Sequence, residues 1–449
     1  MNAGAGARPL VASSHHAAAV LASGVAVAAW CLTFVACLAP WPVNAQTPAS
    51  PRVAISLDDA LRAAREANAH LPVAALNTAI AREQLREARG RGRPSIFLDG
   101  DVHAGGPLTY TSSDARVQVI GADTLFSGGR FRAGVRSATF ALRAATAGYR
   151  VVEKDVDLAV RVQFAEGMHD QQAMRIRAAS LQGLRAYLVY LEAQQRGGSG
   201  VMADVLRTRT RVAAEEANIA DAERAYDAAV VELNVLMGQA PRRPLTLIPL
   251  PTPEPPAPAT DEPWRAVPDI LSAEATAQAT AAQIAIARAD LRPQVSVAAD
   301  IGHLQPIGST ALGTGFNTGT GNGAEVTLSF TVPLFDFGHL LQSRLAQAQL
   351  AARLAVDSAT VVRREAERQW ASATEQLEDL YHIVQLRGQS VPIARDSYLQ
   401  AQSLYRGGVG TALDVIDAYS AWLDAQIAEE DAVRDYRQSE AQLIRWGTP

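Results

Sequence analysis

Glu325-Val326-Thr327-Leu328-Ser329-Phe330-Thr331-Val332 places an apolar residue at every even position and a polar one at every odd position. Successive side chains of a strand point to opposite faces, so this stretch has one oily face and one wet one. Val295, Val297, Ala299 and Ile301 alternate with Ser296, Ala298, Asp300 and Gly302 in the same way. Further upstream Ile96, Leu98 and Val102 alternate with Ser95, Asp99 and Asp101, and Phe97 breaks the rule. Two-faced segments of about nine to eleven residues suit the strands of a transmembrane barrel. They suit equally the half-buried strands of a soluble sheet. Four strands cannot close a barrel, since about eight is the practical minimum. An open edge in lipid would leave backbone groups unsatisfied, so strands that cross a membrane here require several chains.

Outward from the strands, the chain repeats itself. Leu125-Phe126-Ser127-Gly128-Gly129 returns as Leu334-Phe335-Asp336-Phe337-Gly338, an offset of 334 − 125 = 209. Arg196-Gly197-Gly198-Ser199-Gly200, followed by Asp204-Val205-Leu206, returns as Arg406-Gly407-Gly408-Val409-Gly410, followed by Asp414-Val415-Ile416, an offset of 406 − 196 = 210. Arg93-Pro94 returns as Arg292-Pro293 at 292 − 93 = 199, which assigns the surplus to a longer strand-to-strand loop in the second copy. A period this long marks a duplicated half-protein rather than a solenoid unit.

Between Pro107 and Pro241 no proline occurs, and helical spacing runs from Gly129 to about Gln195. At 1.5 Å per residue that predicts one helix of roughly 100 Å. The glycine run at 196–200 turns it, and 202–237 is expected to return as a second helix. The second copy predicts helices at about 338–405 and 411–445, with a kink or local unwinding at Pro392, where the first copy has Gln182. Ser56-Leu57-Asp58-Asp59 reads as a helix N-cap, with a break at His70-Leu71-Pro72. Ten of the chain's 23 prolines fall between Pro241 and Pro268, an extended linker between the copies. The expected division is a signal peptide at 1–45, a first repeat at 46–240, the linker at 241–267 and a second repeat at 268–449.

A net charge of −5 over 449 residues argues against a nucleic-acid partner, which needs clustered Lys and Arg. Residues 17–38 form an apolar run, and Val43-Asn44-Ala45 offers a small-residue cleavage site behind it. The run is also long enough for a retained anchor. A third reading places lipid on Cys37, within Phe34-Val35-Ala36-Cys37. No later stretch is apolar enough for a membrane helix.

Tyr405-Arg406-Gly407-Gly408-Val409-Gly410-Thr411-Ala412-Leu413-Asp414-Val415-Ile416-Asp417-Ala418 resembles the helix-turn signature of the TolC-like outer-membrane efflux proteins. Ser56–Leu61 and Val267-Pro268-Asp269-Ile270 resemble that family's helix openings, so the resemblance covers nearly all of the mature chain. It implies a mainly α fold with a small β part. Duplicated long antiparallel helical hairpins would form a periplasmic α-barrel, and four transmembrane strands per chain would complete a 12-stranded barrel in a homotrimer. It further implies an outer-membrane exit duct gated by a periplasmic adaptor and an inner-membrane pump, with cargo selectivity left largely to the pump. By that resemblance the adaptor contact falls on the tips Arg196, Gly197, Gly198, Ser199, Gly200 and Val201, and Arg406, Gly407, Gly408, Val409, Gly410 and Thr411. The periplasmic constriction falls on Asp414 and Asp417, with Asp204 the first-copy partner of Asp414. Arg207 stands where Asp417 would have its counterpart, either shrinking the acidic ring or pairing with an aspartate.

For Asp204 and Asp414, helix capping after a glycine turn is an equal expectation. Asp417 lies a turn deeper, too far in for a cap. The eight histidines show no metal-ligand spacing, although His103 and His303 occupy related strand ends, as rim residues or as a lumen pair. The glycine-rich loop at 313–323 lacks phosphate-cradle spacing. No enzyme activity and no cofactor are expected. The competing reading is a periplasmic helical adaptor or scaffold without its own pore.

Overall fold

The computed structural model describes residues 53–105, 112–256, 262–309, 321–335 and 337–447. The expected signal peptide, the retained-anchor alternative and Cys37 all lie outside them. The elements run β1 (Val53–Ile55), α1 (Leu57–Ala67), α2 (His70–Gly90), β2 (Ser95–Gly105), β3 (Ser112–Phe126), α3 (Arg130–Arg196), α4 (Met202–Leu236) and β4 (Leu245–Leu247). After a 3-10 turn at Pro263–Ala266 come α5 (Pro268–Ala289), β5 (Gln294–Ser309), β6 (Gly321–Thr331), α6 (Leu340–Arg406) and α7 (Ala412–Gly447).

The two long helices α3 and α6 are 67 residues each, about 100 Å at 1.5 Å per residue. Each turns into a shorter partner, α4 or α7. The halves interlock, since α3 packs against α2, α4, α5 and α7, while α6 packs against α5 and α7. Small residues allow the close approach: Ala133, Ala147, Ala165, Ala282, Ala289 and Ala366 are all buried. Short side chains also reach across, as where Ser137 donates to the Ala279 carbonyl at 3.0 Å and Ser272 to that of Ala144 at 3.2 Å. Arg445, only 4% exposed, spans the halves from α7, meeting Asp155 of α3 and Asp269 of α5 at 2.8 Å each.

Ser56 caps α1 by accepting from the Asp59 N–H at 3.2 Å. The helical break falls at Asn68 and Ala69, just before His70, because the Asn68 side chain accepts from the His70 N–H and donates to the Leu236 carbonyl at 2.9 Å each. Helix α6 runs unbroken through Pro392, so the expected local unwinding is not present. Proline removes one hydrogen bond, and the many bonds on either side of it keep the helix going.

The linker is more structured than an extended tether. Its residues 245–247 form β4, which pairs in parallel with β1 in the register Val53↔Leu245, Ala54↔Thr246, Ile55↔Leu247. Gln171 of α3 holds β4 from the other side, donating to the Leu247 carbonyl at 2.9 Å and accepting from its N–H at 3.0 Å. Tyr226 closes the group by donating to the Leu245 carbonyl at 2.9 Å. Beneath lies the largest apolar core, with Phe164, Val160, Leu233, Met237, Leu245 and Leu247 fully or almost fully buried. Further on, Tyr436 donates to the Glu254 carbonyl at 2.6 Å and Arg437 to that of Pro251, tying the linker to α7.

The larger sheet has the order β2-β3-β5-β6, all antiparallel, so β3 and β5 join the two halves and β2 and β6 are left as edges. Its register sorts the faces. Opposed residues share a face, and Phe97↔Ile120, Ile120↔Asp300 and Asp300↔Glu325 follow one row across the sheet. That face also carries Ser95, Asp99, Asp101, Gln118, Ser296, Thr327 and Ser329. The other carries Ile96, Leu98, Val102, Val117, Val119, Val295, Val297, Ile301, Val326, Leu328 and Phe330. Phe97 thus lies on the polar face, opposite Ile120. His103 pairs with Asp114 and His303 with Val117, so the two register positions fall on opposite faces of the sheet.

Candidate functional site: the paired helix turns

Both long helices end in glycine because the chain must reverse with a left-handed residue. Gly198 has φ +80° and Gly408 φ +76°, a region that a side chain disfavours. The hydrogen bonds around them repeat at the sequence offset. In the first turn Gly197 N–H donates to the Ala193 carbonyl at 3.0 Å, and Ser199 and Gly200 both donate to that of Gln194 at 3.1 Å. In the second, Gly407 donates to Ser403 at 3.0 Å, while Val409 and Gly410 donate to Leu404 at 3.0 and 3.1 Å. These bonds satisfy carbonyls that the helix end would otherwise leave open.

The turns are fastened to one another. Leu191, Val205 and Ala412 are buried together, with Tyr187, Leu188 and Tyr405 packed on them. Tyr405 donates its hydroxyl to Gln194 Oε1 at 3.0 Å, and the same amide donates to the Tyr190 hydroxyl at 2.7 Å. The rings of Tyr187, Tyr190 and Tyr405 stand 6.2 to 6.4 Å apart. Burial pushes the Tyr187 phenol well above its usual range, and its hydroxyl has no hydrogen-bond partner among the described residues. Tyr187 and Tyr190 are functional candidates that the repeat conceals. Their counterparts 210 positions on are Ser397 and Gln400, and the position matching Tyr405 is Gln195. A search for sameness between the copies passes over them.

Around this core the tips present apolar side chains to solvent. Val409 is 81% exposed, Val201 61% and Leu206 53%, and Met202 and Leu413 are exposed beside them.

The four charged candidates have different surroundings. Asp414 sits in a reciprocal cap: its Oδ2 accepts from the Thr411 N–H at 2.9 Å and the Thr411 hydroxyl at 2.7 Å, and its own N–H donates to Thr411 Oγ1 at 3.2 Å. Those bonds hold its carboxyl below the usual range. The first copy cannot build this cap, because Val201 stands at the capping position. There half-buried Asp204 faces Arg207 of the same helix at 3.8 Å. Asp417 is exposed and has neither a hydrogen bond nor an ion pair among the described residues. The structure therefore brings Asp204 and Arg207 together, commits Asp414 to its helix and leaves Asp417 unengaged. Among the described residues no group of His, Cys, Asp and Glu could hold a metal ion.

The sequence profile of a family described as outer membrane efflux protein matches residues 60–239 and 266–446. Among curated relatives, the pyoverdine export outer membrane protein OpmQ of Pseudomonas putida is 25% identical over 354 residues, or 76% of this chain and 70% of that protein. Among solved structures, the outer membrane protein VceC of Vibrio cholerae has a similar fold, with a TM-score of 0.76 at 22% identity over 87% of this chain and 96% of that one. The open state of the outer membrane channel MtrE of Neisseria gonorrhoeae gives a TM-score of 0.74 at 22% identity over 87% and 89%.

Proposed function

The chain belongs to the outer membrane efflux protein family, and from that premise we propose that three copies build one passive exit duct across the outer membrane. Their twelve strands close a barrel in the lipid, and their helices continue it as a tunnel into the periplasm. The observation that carries this reading is the four-stranded sheet, with an apolar face exposed along its length and two unpaired edges. Val326, Leu328 and Phe330 are 73%, 67% and 69% exposed in the single chain. In lipid neither edge can stay open, and pairing β6 of one copy with β2 of the next removes both.

The helix turns form the periplasmic end in this reading. Their exposed apolar residues at 196–201 and 406–411 meet an adaptor, which couples the duct to an inner-membrane pump. Asp414 and Asp417, with Asp204 and Arg207 on the neighbouring helix, ring the constriction. The duct performs no chemical step of its own, and energy enters through the pump. We take small soluble organic molecules as its cargo class, on the ground that OpmQ is a pyoverdine export protein. An adaptor without a pore would carry one helical hairpin and soluble β-domains, whereas the described residues form two long hairpins and a four-stranded sheet with open edges beside the small β1-β4 pair.

Detergent-extracted protein examined by native mass spectrometry and in planar bilayers tests the assembly. A trimer that conducts is the expected result, and a detergent-independent soluble monomer would sink the reading.

A further inference from the structure

Away from the turns, His169 joins the two halves at a place the conduit role leaves unused. It lies on α3 with its side chain 12% exposed, Nδ1 3.1 Å from Asp170 Oδ1 and Nε2 3.0 Å from Asp431 Oδ1 of α7. The second contact is at ion-pair distance but off the N–H axis, so buried Nε2 has no aligned hydrogen-bond partner. A neutral imidazole carries one N–H and must turn a lone pair toward one of the two carboxylates. Only the imidazolium keeps its N–H toward Asp170 and also sets a positive charge against Asp431.

The surroundings favour that charge. Asp170 stands beside the ring on α3, and Glu430, Asp431 and Arg434 face it from α7, with Glu166 of α3 reaching Arg434 rather than the ring. Arg434 is shared among Asp431 at 2.9 Å, Asp435 at 2.8 Å and Glu166 at 3.8 Å, so one cation serves several anions. Tyr381 of α6 and Glu429 and Arg437 of α7 complete the adjoining cleft of about 420 Å³, along with uncharged linker residues 249–253. The hydrogen bond to Asp170 raises the His169 pKa above its ordinary value, against burial and Arg434, and the Asp431 charge adds to the rise.

We propose that His169 is a proton-controlled tie between the two halves of the chain, holding α3 to α7 while its ring is charged. A group whose pKa rises on folding stabilises fully below its unfolded value and loses that contribution as pH climbs through the folded one. The tie is therefore firm below the ordinary histidine range, about pH 6.5, and slackens above it. Its consequence for the duct rests on the conduit reading: α7 also carries Asp414 and Asp417, so a slack tie frees the helix that bears the acidic ring.

Amide hydrogen exchange of the assembled protein in detergent, corrected for intrinsic rates and compared at about pH 5.5 and pH 8.5, tests the tie without requiring conduction. In the wild type, residues 165–173 and 427–435 should exchange several-fold faster at the higher pH. His169→Gln keeps a polar side chain, and its two segments should exchange at a rate that no longer depends on pH. Should that variant fail to assemble, Asp431→Asn removes the α7 partner of the ring, together with one of the three carboxylates around Arg434, and should shrink the pH response of the same segments. A pH response equal to wild type in either assembled variant overturns the proposal, whatever the bilayer recordings show.

Discussion

Asp414 and Asp417 lie one helical turn apart and face different electrostatic tasks. Asp414 spends its carboxylate on Thr411, whereas Asp417 has no partner among the described residues. Asp417→Ala should therefore raise single-channel conductance or weaken cation block in planar bilayers, and Asp414→Ala should act mainly by loosening the start of α7. Unchanged block in Asp417→Ala would remove it from the constriction. Thr411→Ala deletes the cap hydroxyl at a cost of about 1 kcal/mol, read as faster amide exchange over 412–416. The carboxyl of Asp414 is depressed on folding, so its support is present above the ordinary carboxylate range. It is lost as pH falls through the lowered value, and acidification below about pH 4 should fray the same turn. Gly408→Ala meets nothing within 4 Å, yet its positive φ should cost about 1 kcal/mol in thermal unfolding.

Among the elements, β4 pairs with β1 along one edge, and on the other the Gln171 amide serves both backbone groups of Leu247. Gln171→Ala would strip the Leu247 N–H and carbonyl of their partners inside the core, costing about 2–3 kcal/mol in chemical denaturation. An unchanged midpoint would mean that water enters and replaces the side chain. The contrast between this small sheet and the large one explains what the residues disclose in advance. Strict period-two alternation over eight residues in 325–332 announces a strand, and a long stretch without proline announces a helix. Val53-Ala54-Ile55 has neither length nor period, and its partner lies 245 − 53 = 192 positions away inside a proline-rich tract. Phe97 stands out in the sequence as the exception to the alternation, but only the cross-strand register supplies its partner Ile120. The tip tyrosines come from inequivalent positions of the two copies, so the repeat that revealed the turns hid what fastens them.

For the whole molecule, the division of the sheet into an apolar and a polar face gives paired expectations. Leu328→Arg places a guanidinium on the lipid face, where a charge costs about 2–4 kcal/mol at the bilayer midplane. It should reduce the amount of trimer recovered from outer membranes. Ser329→Arg, one residue on and facing the other way, should leave recovery near wild type; equal losses in both would contradict the assignment of faces. A last consequence follows from the equal 67-residue lengths of α3 and α6. Three protomers with two such helices each would set six turns level with one another only if every helix ends at the same height. One added residue would lift a turn by about 1.5 Å and rotate it by about 100°. Insertions and deletions in these helices must then come in matched pairs or not at all.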